Sequence, residues 1–297
     1  MPMRQLFAIA TLLILIFLCG ALLSFPVYKL LQPLTDVRFH KLIPHVTSIV
    51  GLLVLALVLR HYQRLDRATL GYAQAGVAIT QQMLAGFLGG IMIMLGLATV
   101  MVLLGIQQIE SDLTFNLTAG AMIFVRALVT GLLVGLFEET LYRGALLGGL
   151  LAMMKPVAAL LVSSGIYSAA HFLKFSEVSP DAPINWLTGL QILPDAFYRF
   201  SDPATLDAFL SLLAFGALLS LLRLKNRVIY PCIGLHAGVV TAVRIMNKTM
   251  DYVPGNNLAF MVNKYDHLLG YLTMLWLTAC ILIYYRYAFS GSDKPAS

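Results

Sequence analysis

Apolar positions in this chain run in long unbroken blocks, with neither the alternation of a half-buried strand nor the single stripe of a surface helix. Blocks near 5–26, 42–60, 83–105, 119–154, 157–175, 204–222, 228–247 and 267–288 reach or approach the roughly 20 residues that a helix needs to cross a bilayer. The pattern predicts an all-α polytopic membrane protein with about eight transmembrane helices. The block after Arg4 lacks a small-residue cleavage site and is expected to be a membrane helix, not a removable leader. No repeat, low-complexity tract or separate soluble domain interrupts the series.

Composition agrees. Of 297 residues, 59% are hydrophobic and 11% charged, whereas soluble domains carry about a quarter charged residues. The net charge of +6 has no dense cluster, so it reads as a topology signal and excludes nucleic-acid binding. Short loops carry Arg60, Arg64 and Arg67, and Arg223, Lys225 and Arg227, while Glu110 and Asp112 follow the third block. The positive-inside rule then puts both termini in the cytoplasm, although Lys29, Arg38 and Lys41 pull the other way. Short loops and inside-positive charge fit a prokaryotic cytoplasmic membrane. Cys19, Cys232 and Cys280 lie inside apolar blocks and are expected to be small buried hydrophobes. The connection 176–203 mixes Asp181 and Asp195 with Trp186, Phe197, Tyr198 and Phe200, which suits a segment lying in the membrane interface.

The fourth block contains Glu138, Glu139 and Arg143. Charges inside a membrane helix each cost a few kcal/mol, so their default reading is functional. Lys155-Pro156 is the one break before the next block, and a helical hairpin turning there brings two residues level. Glu138 lies 17 residues before Lys155 and His171 lies 16 after it, so both stand about 25 Å from the tip. Glu139 and Arg143, four apart, can pair on one helix face, leaving Glu138 turned by about 100° for chemistry. Gly131, Gly135, Gly144 and Gly148 allow close helix approach. His236, nine residues after Arg227, can converge on the same depth, placing the active site between helices four, five and seven. His40, His45, His61 and His267 are read as structural or interfacial.

Three chemistries suit one glutamate and two histidines: water activation by Glu138 and His171 with His236 serving a developing oxyanion; a zinc site on the same groups, without an H-E-x-x-H helix; or Cys232 as a nucleophile beside His236. No cofactor is expected, zinc being the alternative. A non-catalytic binding, immunity or transport protein that keeps these charges as a buried network is the competing class.

Glu138-Glu139-x-x-x-Arg143, an aromatic residue four before His171, and His236 in a later helix resemble the CPBP/Abi family, which includes the CAAX prenyl proteases of the Rce type, glutamic intramembrane endopeptidases. The resemblance covers roughly residues 119–245. It implies Glu138 as the water-activating carboxylate, His171 as its partner base, Glu139 and Arg143 as the rest of the first motif, and His236 as the oxyanion-stabilising histidine. Tyr167 stands where the family has phenylalanine. Val240 stands where it commonly has asparagine or another polar residue, which removes an oxyanion donor. Thr241 points about 100° away and Asn247 lies about 16 Å along the helix, so neither replaces it. Arg126 and Arg244 are further charges within apolar blocks. The implied partner is a membrane-embedded or membrane-associated peptide substrate in a lipid bilayer. The chain divides into three N-terminal helices (1–118), a catalytic core (119–247) and a last helix with its tail (248–297).

Overall fold

The computed structural model describes residues 3–73, 77–110, 116–179 and 182–289; Asp112 and Asp181 lie outside them. The helices are α1 (Met3–Leu31), α2 (Phe39–His61), the single turn α3 (Arg67–Leu70), α4 (Val77–Leu103), α5 (Leu117–Glu139), α6 (Leu147–Leu151), α7 (Pro156–Ala170), the single turn α8 (Thr188–Gln191), α9 (Leu206–Asn226), α10 (Tyr230–Thr249) and α11 (Tyr271–Phe289). A π-helical turn, Thr140–Leu146, joins α5 to α6. One small ribbon pairs β1 (Gln107–Ile109) with β2 (Met250–Tyr252), antiparallel, Gln107 facing Tyr252.

Among the described residues, five helical stretches are long and apolar enough to cross a membrane: Ile9–Leu31, Phe39–His61, Ala78–Leu103, Leu117–Leu151 and Pro203–Asn226. They mark an integral membrane protein, but the count is five against the eight expected. The fifth block shortens to Pro156–Ala170. α10 and α11 are not in the set for different reasons. α10 is buried along most of its length, and His236 lies in that buried part, whereas Arg244 and Lys248 sit on its exposed last turns. α11 ends in a polar run holding Tyr284, Tyr285, Arg286 and Tyr287.

Small residues place α10. A Cβ on Gly86 or Gly90 of α4 would strike the carbonyl of Pro231 or Leu235, and one on Gly234 or Gly238 of α10 would strike that of Met83 or Phe87. On the other side, Gly131 and Gly135 of α5 leave 2.5 and 3.0 Å between such an atom and the Ala237 and Ile233 carbonyls. Backbones this close gain dispersion contacts that larger residues would forbid. α10 therefore runs as the central rod between α4 and α5. Gly144 and Gly148 serve α3 in the same way, facing the carbonyls of Leu70 and Thr69. Of the cysteines, Cys232 is buried, but Cys19 is exposed on α1 and Cys280 is half-buried.

The segment 176–203 is docked, not free. Gly189 of α8 abuts the Ala21 carbonyl of α1, Trp186 packs on Phe25 with ring centroids 5.3 Å apart, and Ala196 joins Phe39, Ile43 and Phe175 in a buried cluster. Trp186, Phe197, Tyr198 and Phe200 remain about half exposed, as residues of a membrane interface do.

The connection into α11 is pinned to the start of α9. Asn263 Nδ2 donates to Ala204 O and to Asp207 Oδ1, both at 2.6 Å. The Tyr265 hydroxyl, the Ala204 amide and the Lys264 ammonium all engage Asp202 and pull its carboxyl down to about 2. A depressed carboxyl stabilises the fold above its unfolded value and loses that contribution as pH falls through the folded value. Acidification from pH 4 to pH 2 is expected to loosen this anchor, read as faster hydrogen exchange at 263–270, and Asp202→Asn is expected to remove the pH dependence.

Candidate active site

The motif sits where α5 passes into the π-helical turn. α5 starts at the Asn116 cap, whose side chain accepts from the amides of Thr118 and Ala119, and its last residues are Glu138 and Glu139. The following turn contains Tyr142 and Arg143. A π-turn admits one extra residue per turn and occurs frequently at functional sites. Composition carries no signal for it, and the apolar block 119–154 predicts a regular helix there.

Glu139 and Arg143 are fully buried, and Arg143 Nη1 donates to Glu139 Oε1 at 3.2 Å, the pair expected from their spacing. Arg143 Nη2 also donates to the Gly216 carbonyl of α9 at 3.1 Å, and its guanidinium lies 4.4 Å from the Tyr167 ring centroid. Glu139 has a further partner that spacing gave no sign of: His236 Nδ1 lies 2.7 Å from the same Oε1. The carboxylate accepts, so Nδ1 carries the hydrogen and the other ring nitrogen, Nε2, faces Glu138 at 3.9 Å. Phe215 and Tyr167 meet the His236 ring edge-on, with centroids 5.4 and 6.3 Å away.

His171 is level with Glu138, as the hairpin arithmetic requires, with Nε2 at 3.8 Å from Glu138 Oε2. Its setting differs from the expectation of a mid-helix residue. α7 ends at Ala170, and His171 is its C-cap. The ring turns back so that Nδ1 lies 2.9 Å from the Tyr167 carbonyl. A carbonyl can only accept, so this contact fixes the proton on Nδ1 and leaves the lone pair of Nε2 directed at Glu138. Tyr167 is 1% exposed and its ring packs tilted against that of His171, with centroids 4.5 Å apart, so it holds the histidine by both ring and carbonyl.

His171 and Glu138 are the outward members of the group. The Glu138 side chain is 24% exposed and that of His171 32%, against 3% for His236. Glu138 Oε2 is nevertheless buried and makes no hydrogen bond within the protein. The site therefore presents two acceptors, the Glu138 carboxylate oxygen and the His171 lone pair, directed at one point with a buried imidazole beside them.

Val240, one turn after His236 on the same helix, is half-buried and brings no donor. Thr241 does not replace it, because its hydroxyl donates to Ala237 O at 2.7 Å. Arg126, Arg244 and Asn247 are exposed on α5 and α10 and take no part in the cluster. Cys232 Sγ donates to the Leu219 carbonyl at 3.3 Å. Among the described residues no group of three or more His, Cys, Asp or Glu side chains is arranged to hold a metal ion.

The segment from α5 to α10 carries all of these residues. Residues 120–242 match the Rce1-like family of type II CAAX prenyl endopeptidases. The match covers less than half of the chain and agrees with the resemblance carried by Glu138, Glu139, Arg143, Tyr167, His171 and His236. No curated protein and no solved structure matches the chain.

Proposed function

We propose that this chain is an intramembrane endopeptidase that hydrolyses a peptide bond of a membrane-associated substrate by direct attack of water, without a covalent intermediate or a metal. The observation that carries the reading is the unpartnered Glu138 Oε2, 3.8 Å from His171 Nε2 and 3.9 Å from His236 Nε2. These separations are too long for direct hydrogen bonds, and Oε2 has almost no exposed surface, so a water bridges these atoms once the part-exposed Glu138 and His171 side chains give slightly. Two acceptors converging on one point call for a group with two protons to give, and water is that group.

In the reaction, the water oxygen bonds to the scissile carbonyl carbon while its proton passes to Glu138, assisted by His171. The negative charge moves to the carbonyl oxygen. His236, on taking a second proton from solvent, meets it through Nε2–H, its Nδ1–H held by Glu139, whose own position Arg143 fixes. Collapse breaks the C–N bond as Glu138 returns its proton to the leaving nitrogen, and the new acid loses its remaining proton to solvent. Glu139 and Arg143 thus position His236, and Tyr167 positions His171.

Val240 leaves the oxyanion with one donor fewer than the resemblance implies. Loss of such a donor costs on the order of 100-fold or more. Val240→Asn is therefore expected to raise kcat at least tenfold with little change in KM, checked with purified variants on a common substrate. A metal-free mechanism predicts that chelator leaves the rate unchanged; loss of activity to chelator and its return with zinc would favour the zinc reading. A phenotype that survives Glu138→Gln would favour the non-catalytic class. The loop arginines favour a cytoplasmic membrane with both termini inside.

A further inference from the structure

The end of the molecule formed by the α2–α3 connection, the α6–α7 turn and the α9–α10 turn is cationic. These segments meet: Arg223 of α9 donates to the carbonyls of Ala68 and Thr69 at 3.2 and 3.0 Å, the Ile229 amide donates to Gly71 O, and Gly144 and Gly148 abut Leu70 and Thr69. Arg60, Arg64, Arg67, Lys155 and Arg227 are exposed there. Among the described residues, Asp66 is the one carboxylate at this end, and its acceptors are occupied. It caps α3, accepting from the amides of Ala68 and Thr69 and from the Thr69 hydroxyl, and these bonds hold its carboxyl below the usual range.

Apolar side chains alternate with the arginines. Tyr62 is 70% exposed and Leu65 42%, beside Arg60 and Arg64. An exposed tyrosine and leucine interleaved with guanidinium groups belong at the headgroup level of a bilayer, where one atom set meets hydrocarbon and the other meets phosphate. A phosphodiester supplies the acceptor oxygens that guanidinium forks match.

This strap also reaches the motif. α3 lies on the π-helical turn through Gly144 and on α6 through Gly148, and Tyr72, just beyond α3, bonds the Thr140 hydroxyl at 2.5 Å, one residue after Glu139. We propose that the strap 60–67 binds the anionic headgroup of a membrane phospholipid, and that this binding holds α3 and Tyr72 against the turn that carries Arg143. Each basic residue near an anionic surface is attracted to it, so Arg60, Arg64 and Arg67 together make a sizeable anchor.

The test uses the purified full chain in bilayers of phosphatidylcholine, alone or mixed with phosphatidylglycerol, reading the unfolding temperature and the hydrogen exchange of residues 140–146. Phosphatidylglycerol is expected to raise the unfolding temperature by several degrees and to slow that exchange. Arg60→Gln with Arg64→Gln removes most of both effects, whereas Lys174→Gln, at the opposite end, keeps them. Equal behaviour in the two bilayers, full retention of the effects in the double variant, or their reproduction by inorganic phosphate over phosphatidylcholine would overturn the proposal. Should the double variant not fold, high salt on the wild type decides: screening at about 1 M salt shortens the reach of charge to about 3 Å, so a lipid effect that persists there contradicts an electrostatic headgroup site. Neither readout needs catalysis, so failure here is distinct from failure of the peptidase reading.

Discussion

Glu138→Gln is expected to lower the hydrolytic rate by about 100- to 10,000-fold, the range for removing a general base, while leaving the fold intact. The two effects separate because of where Glu138 stands. Its Oε2 makes no hydrogen bond within the protein, so an amide of the same shape breaks no structural contact. What changes is that one of the two acceptors converging with His171 becomes a weak base, or a donor if the amide turns. The variant should keep the wild-type unfolding temperature and KM and lose kcat. His171→Ala should lose rate similarly, and the double variant should cost little more than either single one, since both act on the same proton. Fully additive losses would mean that the two groups work in separate steps.

Arg143→Met is expected to be the most destabilising of the site substitutions, at about 3–5 kcal/mol, because it leaves the fully buried Glu139 without its cation. It also removes the bond to the Gly216 carbonyl and the stacking on Tyr167, so α5, α7 and α9 lose a common point of attachment. Adding Glu139→Leu to Arg143→Met should recover most of the stability and none of the activity, since no buried charge remains but His236 Nδ1 then has no acceptor. Denaturant or thermal unfolding in detergent reads the first outcome and the rate reads the second. A double variant no more stable than Arg143→Met would show that the arginine acts through its α9 contact and not through the ion pair.

Much of this arrangement follows from local sequence. Long apolar blocks mark α1, α2, α4, α5 and α9, and the Lys155-Pro156 break sets the hairpin that brings Glu138 and His171 to one depth. The four-residue spacing of Glu139 and Arg143 gives their ion pair. The remaining features depend on contacts between distant parts of the chain. Glu139 and His236 are 97 residues apart, and they meet because glycine seams on both sides seat α10 against α4 and α5. That seat makes α10 a rod buried largely among protein, so its hydropathy alone does not describe its surroundings. The hydrogen placement on His171 depends on α7 stopping at Ala170, and no helix breaker in the sequence announces that stop. The exposure of Arg126 and Arg244 depends on which helices pack beside them, and periodicity along one helix is silent about its neighbours.

The most direct measurement compares membrane peptides, by mass spectrometry, between cells carrying the wild-type chain and cells carrying Glu138→Gln. The account predicts at least one membrane-associated protein that is intact in the variant and truncated at a single peptide bond in the wild type, with the truncation restored when purified wild-type protein is added to variant membranes. Identical peptide profiles in the two membranes, with both proteins folded and present at equal levels, would contradict it.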